Sequence, residues 1–405
     1  METPQEICAL AKTMSNLISK RPAKEKQDNQ SSPTVRTADK RMEWPNHPNP
    51  SELNATTVID PVNDARWDSF VDRHPQGTIY QHSCWMKVLA RTYGHARPLC
   101  FAIEGPQRDI HAAIPCFIVK SKLTGTRIVS LPFSSYCDPL LDDKRDFAIL
   151  LDRIIQEAES ISASYYELRA FRNQDLIEDD RLKPHSYHKI HVLDIKEGFE
   201  QVKRAFHKDC IVRSVKKAQK SGVAIKQGCS EHDLKQFYFI HATTRKRQGF
   251  PIQPYKFFRN MWELLYPQGY FTLLLAEANK RSIAGVVLFK FKDTVSFEHG
   301  ACIPKYLAVR PNHLLLWTAI EMACSEGYRY FDFGKTPPEN KGLLDFKSRW
   351  GAKMYDVPYF YYPEVKGMMS LSQGGLKHKL LRAMGRHLPL PLAKVMGRIA
   401  YHHLG

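Results

Sequence analysis

The sequence predicts an α/β fold built from two halves in which strands and helices follow the same order. Residues 99–119 contain two apolar runs separated by a polar turn, which is the pattern of a β-hairpin, and residues 271–291 repeat that pattern. In both hairpins a glutamate precedes an isoleucine at the same spacing, as Glu104–Ile110 and Glu277–Ile283. Recurrence of one element order indicates an internal duplication.

Each hairpin is followed by a helix and a strand. In the first half these are residues 143–160 and 165–170, and in the second half they are residues 312–326 and 328–333. Residues 198–222, between the halves, are predicted to form one basic helix. We therefore expect two α/β domains, with boundaries at 55–190 and 191–365.

Both ends of the chain differ from this pattern. Residues 1–54 are dominated by polar, charged and proline residues without a sustained period, so we expect a disordered N-terminal arm. Residues 366–405 contain no acidic residue and are predicted to form basic amphipathic helices. One apolar stripe is Leu376, Leu380, Leu381, Met384 and Leu388, and the other is Leu392, Val395, Met396 and Ile399. Residues 371–405 are therefore expected to bind an anionic membrane surface, although packing on the protein's own core is an equal alternative.

Composition limits the classes of function. A hydrophobic content of 43% supports a globular core, and a net charge of +17 favours anionic partners such as tRNA, phosphorylated substrates or an acidic membrane. No run of about 18 apolar residues could span a bilayer. The nine cysteines lack CxxC spacing and the histidines are dispersed, which predicts reduced thiols and no metal site. We therefore expect a cytoplasmic protein, with peripheral attachment to the inner face of the cytoplasmic membrane left open.

Residues 331–363 are the most informative segment for function. Asp332 lies inside an apolar strand, where a carboxylate is unfavourable unless it is paired or functional. Lys335, Lys347 and Arg349 follow within one loop region, which suits an anionic ligand. Trp350 could stack on a sugar or base, or it could anchor the core. This segment therefore predicts a binding or catalytic site.

The motifs of this segment resemble those of the FemAB-type acyltransferases of the GNAT-like superfamily, including the BioF2-like acetyltransferase domain. The matching motifs are PNHLL, FDFG, LxxFKxxWGA and PYFYYP, together with YQHSCWMKVLARTYGH, SLPFSSYCDPLLDD, VRSVKKAQKSGV and FIHATTRKRQGFPIQP upstream. The resemblance covers residues 55–365. It implies tandem GNAT-like domains and transfer of an acyl or aminoacyl group to an amine, often in building cell-envelope polymers.

The resemblance also implies where the donor binds. In a GNAT-like fold the donor carbonyl lies between two splayed strands, and donor phosphates meet the N-terminus of the helix that follows, an anion site by its dipole. Here that helix is predicted to begin at Pro311, with Asn312 and His313 at its mouth. The usual glycine-rich phosphate turn is absent, so either acyl-CoA or aminoacyl-tRNA could be the co-substrate, and no bound cofactor is expected.

Three residues are candidate proton acceptors. Asp332 ends the buried strand beside the basic loop, and Glu298 and His299 end the strand of residues 294–301. Histidine has a suitable pKa range, but a lone histidine in an apolar strand is commonly a hydrogen-bonded core residue. Asp332 could instead pair with Lys335 or Arg349, and proton removal assisted by the substrate needs no dedicated base.

Further binding residues come from two other motifs. Arg213 and Lys216, in the predicted basic helix, could contact donor or acceptor phosphates, and the alternative is a solvated helix face. Ser135 and Tyr136 could line an acceptor groove between the domains, and a tight turn explains that motif equally well.

The sequence predicts an N-acyl- or aminoacyltransferase that acts on an amine of a peptidoglycan or exopolysaccharide precursor carried on a lipid or a nucleotide. A second hypothesis is acyl-CoA-dependent N-acetylation of an amino sugar in polysaccharide synthesis. A third, of another class, is a catalytically inactive membrane-associated scaffold that retains the fold.

Overall fold

The computed structural model describes residues 56–122, 125–363 and 385–403. The predicted N-terminal arm and the first apolar stripe of the tail up to Met384 lie outside these residues. Twelve strands form one mixed sheet, and helices cover both of its faces.

The first half forms six strands and three helices. In chain order these are β1 (Thr56–Ile59), α1 (Trp67–Arg73), α2 (Ser83–Thr92), β2 (Ala96–Glu104), β3 (Ile110–Ser121), β4 (Gly125–Val129), α3 (Lys144–Ser160), β5 (Tyr166–Arg169) and β6 (Lys183–Asp194). Asp143 starts α3 because its side chain accepts a hydrogen bond from the Arg145 N–H.

The second half repeats this order and adds four helices. In chain order it has α4 (Phe199–Val202), α5 (Arg213–Lys220), β7 (Ala224–Gly228), α6 (Glu231–Gln248), α7 (Tyr255–Leu265), β8 (Phe271–Ala278), β9 (Arg281–Phe291), β10 (Thr294–Cys302), α8 (Pro311–Ser325), β11 (Tyr330–Thr336), α9 (Lys341–Ser348), β12 (Lys353–Tyr362) and α10 (Leu390–His403). The two predicted hairpins, β2–β3 and β8–β9, are confirmed.

The two halves share a continuous sheet because β12 lies between β5 and β6. The strand order is β1-β2-β3-β4-β5-β12-β6-β11-β10-β9-β8-β7. Each half contains one parallel pair, β4–β5 in the first half and β10–β11 in the second, and each pair is connected through a helix. The expected α/β class with tandem, similarly ordered halves is confirmed, whereas the predicted domain boundaries stay a prediction.

Residues alternate between cores on the two faces of the sheet because neighbouring side chains of a strand point to opposite faces. Helices α1, α2, α6 and α7 pack on one face, against side chains such as Phe117, Leu273 and Phe289. Helices α5 and α8 pack on the opposite face of the second half, against Phe331 and Phe333. Asp332, between these two phenylalanines, therefore points to the first face.

The prediction of one basic helix over residues 198–222 is wrong. The chain is extended at Phe206 and His207, so this segment is divided between α4 and α5. Phe206 packs on Trp350 with ring centroids 5.1 Å apart, and the His207 N–H donates to the Arg349 carbonyl at 2.9 Å. These tertiary contacts override the local helical preference.

Helix α10 packs on the protein through small residues and one tyrosine. Ala393 and Tyr401 are buried, and Gly397 lies so close to the Ile252 backbone that a side chain there would clash. Val395 and Ile399, of the second predicted stripe, remain exposed. In the part of the chain that the structure describes, no helix has the length and apolar character needed to cross a membrane.

Candidate functional site

Strands β10 and β11 diverge after a short parallel contact. Their parallel pairing comprises three residue pairs and ends at Ser296 and Asp332. A bulge in β10 between Phe297 and His299 makes Glu298 an extra residue opposite β9, and bulges of this kind re-aim side chains beside active sites. The divergence leaves a cleft whose edges are backbone of two strands.

Gly334 is required where β11 turns away from β10. Its φ of 71° lies in the left-handed region, and a Cβ at this position would lie 2.9 Å from the Phe297 carbonyl oxygen. A glycine therefore permits the closest approach of the two strands at the base of the cleft.

Glu298 is a partly buried carboxylate at this cleft. Tyr80, from the first half, donates a hydrogen bond to its Oε1. Burial, together with the nearby Asp332 carboxylate, raises the pKa of Glu298 to about 7 against the opposing effects of Tyr80 and Lys335. A carboxylate with this pKa can accept a proton near neutral pH.

Asp332 is almost fully buried and incompletely hydrogen-bonded. Its Oδ1 accepts from the Gly334 N–H at 2.7 Å, whereas its Oδ2 has no hydrogen-bond partner among the described residues. Burial raises its pKa to about 6, opposed by this hydrogen bond and by the charges of Lys347 and Arg172. The alternative in which Asp332 pairs with Lys335 or Arg349 is not what the structure shows, because both cations bind elsewhere.

Lys347 projects from α9 into the protein beneath the cleft. It is 5% exposed, and its Nζ donates to the Gly334 carbonyl at 2.7 Å. Burial lowers its pKa to about 8, partly offset by Asp332. Asp332 and Lys347 thus bind the N–H and the carbonyl of the same glycine and fix the path of β11 at the divergence.

The first half closes one side of this cluster. Lys335 donates to the Ser134 carbonyl at 2.8 Å and to the Tyr359 hydroxyl at 3.2 Å. The buried Tyr136 ring packs against the Tyr80 ring at 5.7 Å, and Ser135 beside it is buried. The structure therefore brings the predicted residues of the PFSSY motif next to those of β10 and β11.

Sequence reasoning missed Tyr80 and Arg172. Tyr80 opens the motif YQHSCW, which carries the family resemblance, and this was the only signal for it. Arg172 lowers the pKa of Asp332 through its charge, but it lies in a loop without a recognisable motif. Both reach the site only because the sheet brings the two halves together.

His299 lies on the side of β10 that faces α6 and α7. Its ring contacts Phe258 at 5.1 Å and His241 at 5.7 Å. Burial lowers its pKa to about 3, so it is neutral at physiological pH. Its surroundings are those of a core histidine, and it does not join Glu298 and Asp332.

Helix α8 begins at Pro311 as predicted, with Arg310 in a left-handed conformation before it. Asn312 and His313 are partly buried in its first turn. The His313 ring packs edge-on against Phe346 at 5.3 Å, and burial lowers its pKa to about 4. The first turn therefore presents a neutral histidine rather than a cation.

The remaining predicted residues lie away from the carboxylates. Trp350 is fully buried against Phe206, so its ring is a core anchor in this structure. Arg349 forms an ion pair with Asp345 at 2.8 Å and contacts the Cys210 sulfur. On α5, Lys216 is exposed, and the likewise exposed Arg213 pairs with Asp209 at 3.0 Å.

Comparisons with known proteins agree with this geometry. Residues 207–348 match a protein-family profile described as an acetyltransferase (GNAT) domain. No curated protein has a matching sequence. The crystal structure of FemX is similar with a TM-score of 0.61 at 16% identity, covering 75% of this chain and 96% of FemX.

A second solved structure gives the same fold. It is the C-terminal domain (DUF2156) of a candidate lysylphosphatidylglycerol synthetase from Agrobacterium fabrum, with a TM-score of 0.51, 12% identity, and coverage of 76% of this chain and 98% of that one. The resemblance inferred from the sequence motifs is thus confirmed at the level of the fold. The chain has a GNAT-like fold similar to that of FemX, and residues 207–348 within it match the GNAT acetyltransferase profile.

Proposed function

We propose that the protein transfers an acyl or aminoacyl group to an amine and that Glu298 accepts the proton of that amine. The observation that carries this proposal is a partly exposed carboxylate, with its pKa raised to about 7, at the divergence of β10 and β11. The charge of Lys335 acts on this carboxylate, and no described residue forms an ion pair with it. Glu298 is therefore free to bind a substrate proton.

The cleft supplies the other requirement of acyl transfer, which is stabilisation of the oxyanion. Beyond Ser296 the N–H groups of β10 that face β11 have no strand partner among the described residues, and they can donate to a carbonyl oxygen bound between the strands. The amine attacks the carbonyl carbon, Glu298 takes the amine proton, and collapse of the intermediate breaks the bond to the donor's leaving group. Asp332 and Lys347 position the backbone at the cleft.

For substrates, we propose a cell-envelope precursor as acceptor, in agreement with the FemAB-type fold. The donor is an aminoacyl-tRNA or an acyl-CoA. The description of the matching profile as an acetyltransferase domain favours the second candidate function, which is CoA-dependent acetylation of an amino sugar. Thermal shift with coenzyme A and with an uncharged tRNA mixture separates these donors, because the bound one raises the melting temperature with concentration.

Mass spectrometry of the envelope polymer from a deletion strain tests the function. Wild-type protein should restore an acyl or aminoacyl substituent that the deletion strain lacks, and Glu298→Gln should reduce transfer by roughly 10²–10⁴-fold. Glu263→Gln is the matched control, because Glu263 is an exposed carboxylate paired with Arg259 on α7. An unchanged polymer in the deletion strain, or full restoration by Glu298→Gln, contradicts the proposal and favours the scaffold hypothesis.

We also propose that α10 contacts an anionic membrane. Val395 and Ile399 are 36% and 42% exposed, and the cations Lys394 and Arg398 lie beside them on the helix. Val395→Asp with Ile399→Asp should abolish co-sedimentation with vesicles of phosphatidylglycerol, and added salt should weaken it for the wild type. Equal sedimentation of both proteins contradicts membrane contact through this face.

A further inference from the structure

We propose that a basic groove beside the β8–β9 turn binds the phosphorylated nucleoside part of the acyl donor. This groove lies between that turn, the segment Pro304–Val309 and α6. The inference rests on the proposed acyl transfer, and it assigns the donor's anionic end to side chains rather than to the start of α8.

The groove is large enough for a ligand and carries unpaired positive charge. Its volume is about 270 Å³, and its walls include Phe239, Lys280, Arg281, Ile303, Lys305 and Tyr306. The three cations are exposed, and none forms an ion pair with another described residue. The Lys305 ammonium lies 4.9 Å from the centre of the Tyr306 ring. The Glu277 carboxylate lies beside the groove, 3.5 Å from the Ser282 hydroxyl.

An aromatic ring is exposed among these cations. Phe239 on α6 is 53% exposed, more than any other large apolar side chain that the structure describes. Flat bases stack on exposed aromatic rings, and neighbouring cations bind the phosphates attached to them. An exposed ring and three unpaired cations in one groove therefore fit a phosphorylated nucleoside better than an inorganic anion or an apolar ligand.

The position of the groove relative to the cleft sets the length of the donor. Strand β10 runs from the cleft to Cys302, and Ile303 is tied to β9 by its N–H, which donates to the Ile283 carbonyl at 2.9 Å. At about 3.3 Å per residue, the six steps from Phe297 to Ile303 span roughly 20 Å. The donor must therefore carry its acyl carbonyl about that far from its charged nucleoside, on an extended arm or on the end of a nucleic-acid strand.

The start of α8 is a poorer site for donor phosphates. Pro311 has no N–H, and Arg310 before it is in the left-handed conformation without a glycine that would allow close approach of a pyrophosphate. Because Pro311 supplies no N–H there, we assign the donor phosphates to the side chains of Lys280, Arg281 and Lys305 in the groove.

Binding measurements on the full chain test the groove. The two probes are coenzyme A and an uncharged tRNA mixture. The variant Lys280→Ala, Arg281→Ala, Lys305→Ala should bind at least about tenfold more weakly than the wild type to the probe that the wild type binds. Its affinity should also depend less steeply on salt concentration. The matched control is Arg91→Ala, Arg97→Ala, Lys256→Ala, which removes the same charge from exposed positions outside the groove. If both triple variants weaken probe binding equally, the loss is explained by overall charge and the inference is overturned.

Two further measurements separate the groove from the chemistry. Phe239→Ala should weaken binding of the nucleoside-bearing probe but not of inorganic pyrophosphate, and equal loss for both probes contradicts stacking. Glu298→Gln should bind the probe normally but lose acyl transfer.

If the triple variant transfers the acyl group normally, the groove inference fails and the proposed function stands. If the wild type binds neither probe, the groove inference also fails, and the polymer analysis alone decides the function.

Discussion

The two parallel strand pairs of the molecule end in different ways. In the first half, the space beyond β4 and β5 is filled by the chain itself. The Ser130 N–H donates to the Glu167 carbonyl at 2.8 Å, the Ser130 hydroxyl accepts from the Arg169 N–H at 2.9 Å, and the Cys137 N–H donates to the Arg169 carbonyl at 2.8 Å. In the second half, β10 continues past its last pairing with β11 and leaves a cleft.

The buried carboxylates differ in the same way. Glu167 on β5 forms an ion pair with Arg169 at 2.5 Å, with both side chains below 10% exposure. Glu298 and Asp332, at the second pair, have no ion-pair partner among the described residues, and burial raises the pKa of both. The first half is therefore closed and neutralised at this position, whereas the second half keeps an open edge and two carboxylates whose pKa values are raised to about 7 and about 6.

The largest difference should appear when a cation is removed from the closed half. Arg169→Met leaves the buried Glu167 unpaired, so we expect the free energy of unfolding to fall by about 3–5 kcal/mol. Urea denaturation measures this loss. The double variant Arg169→Met, Glu167→Leu should recover most of the stability, and a double variant as unstable as the single one contradicts the ion-pair explanation.

In the open half, by contrast, neutralising the buried carboxylate of Asp332 should increase the free energy of unfolding. Because burial raises the pKa of Asp332 to about 6, the folded protein keeps a proton that the unfolded chain loses near pH 4. The contribution of Asp332 to the free energy of unfolding therefore falls as pH rises from about 4 to about 6. Asp332→Asn should remove this fall and raise stability at pH 7 by on the order of 2 kcal/mol.

Unfolding by urea across this pH range checks the Asp332 prediction. Asp175→Asn, a change at an exposed carboxylate, is the control and should leave the pH profile unchanged. A less stable Asp332→Asn variant at pH 7 would show that the ionised carboxylate is stabilising, as it is in the closed half.

A smaller loss of stability should follow from filling the base of the cleft. Gly334→Ala places a Cβ in a left-handed conformation and against the Phe297 carbonyl, which should destabilise the protein by about 1–2 kcal/mol and reduce transfer. Gly342→Ala is the control, because a Cβ there meets no neighbouring atom. Full activity with normal stability would contradict the close approach of the two strands.

The smallest expected effect is a shift of the pH–rate profile. Tyr80 donates to the ionised Glu298, so Tyr80→Phe should raise the pKa of Glu298 and move the acid limb of kcat/KM upward by about one pH unit. Tyr136→Phe is the control, because its hydroxyl is not seen to bond Glu298 within the described residues. An equal shift in both variants contradicts the Tyr80 contact.

Local patterns were sufficient for the repeated elements but not for the site. The hairpins and helices α3 and α8 were predicted because their turn residues and apolar periods are local. The contact of Tyr80 with Glu298 joins residues 218 positions apart, so no spacing rule could reveal it. Likewise, the cationic loop suggested that Lys347 faces a ligand, whereas the folded protein places it against the Gly334 carbonyl.

The position of β12 has a consequence for how the protein is made. This strand, the last of the sheet in the chain, supplies partners to β5 and to β6 at once. Until the ribosome has released residues 353–362, the first half has an unpaired edge at β5, and exposed edges of this kind favour aggregation. Because these pairings are remote in sequence, the sheet should form slowly and late. We therefore expect nascent chains that have not yet completed β12 to depend on chaperones.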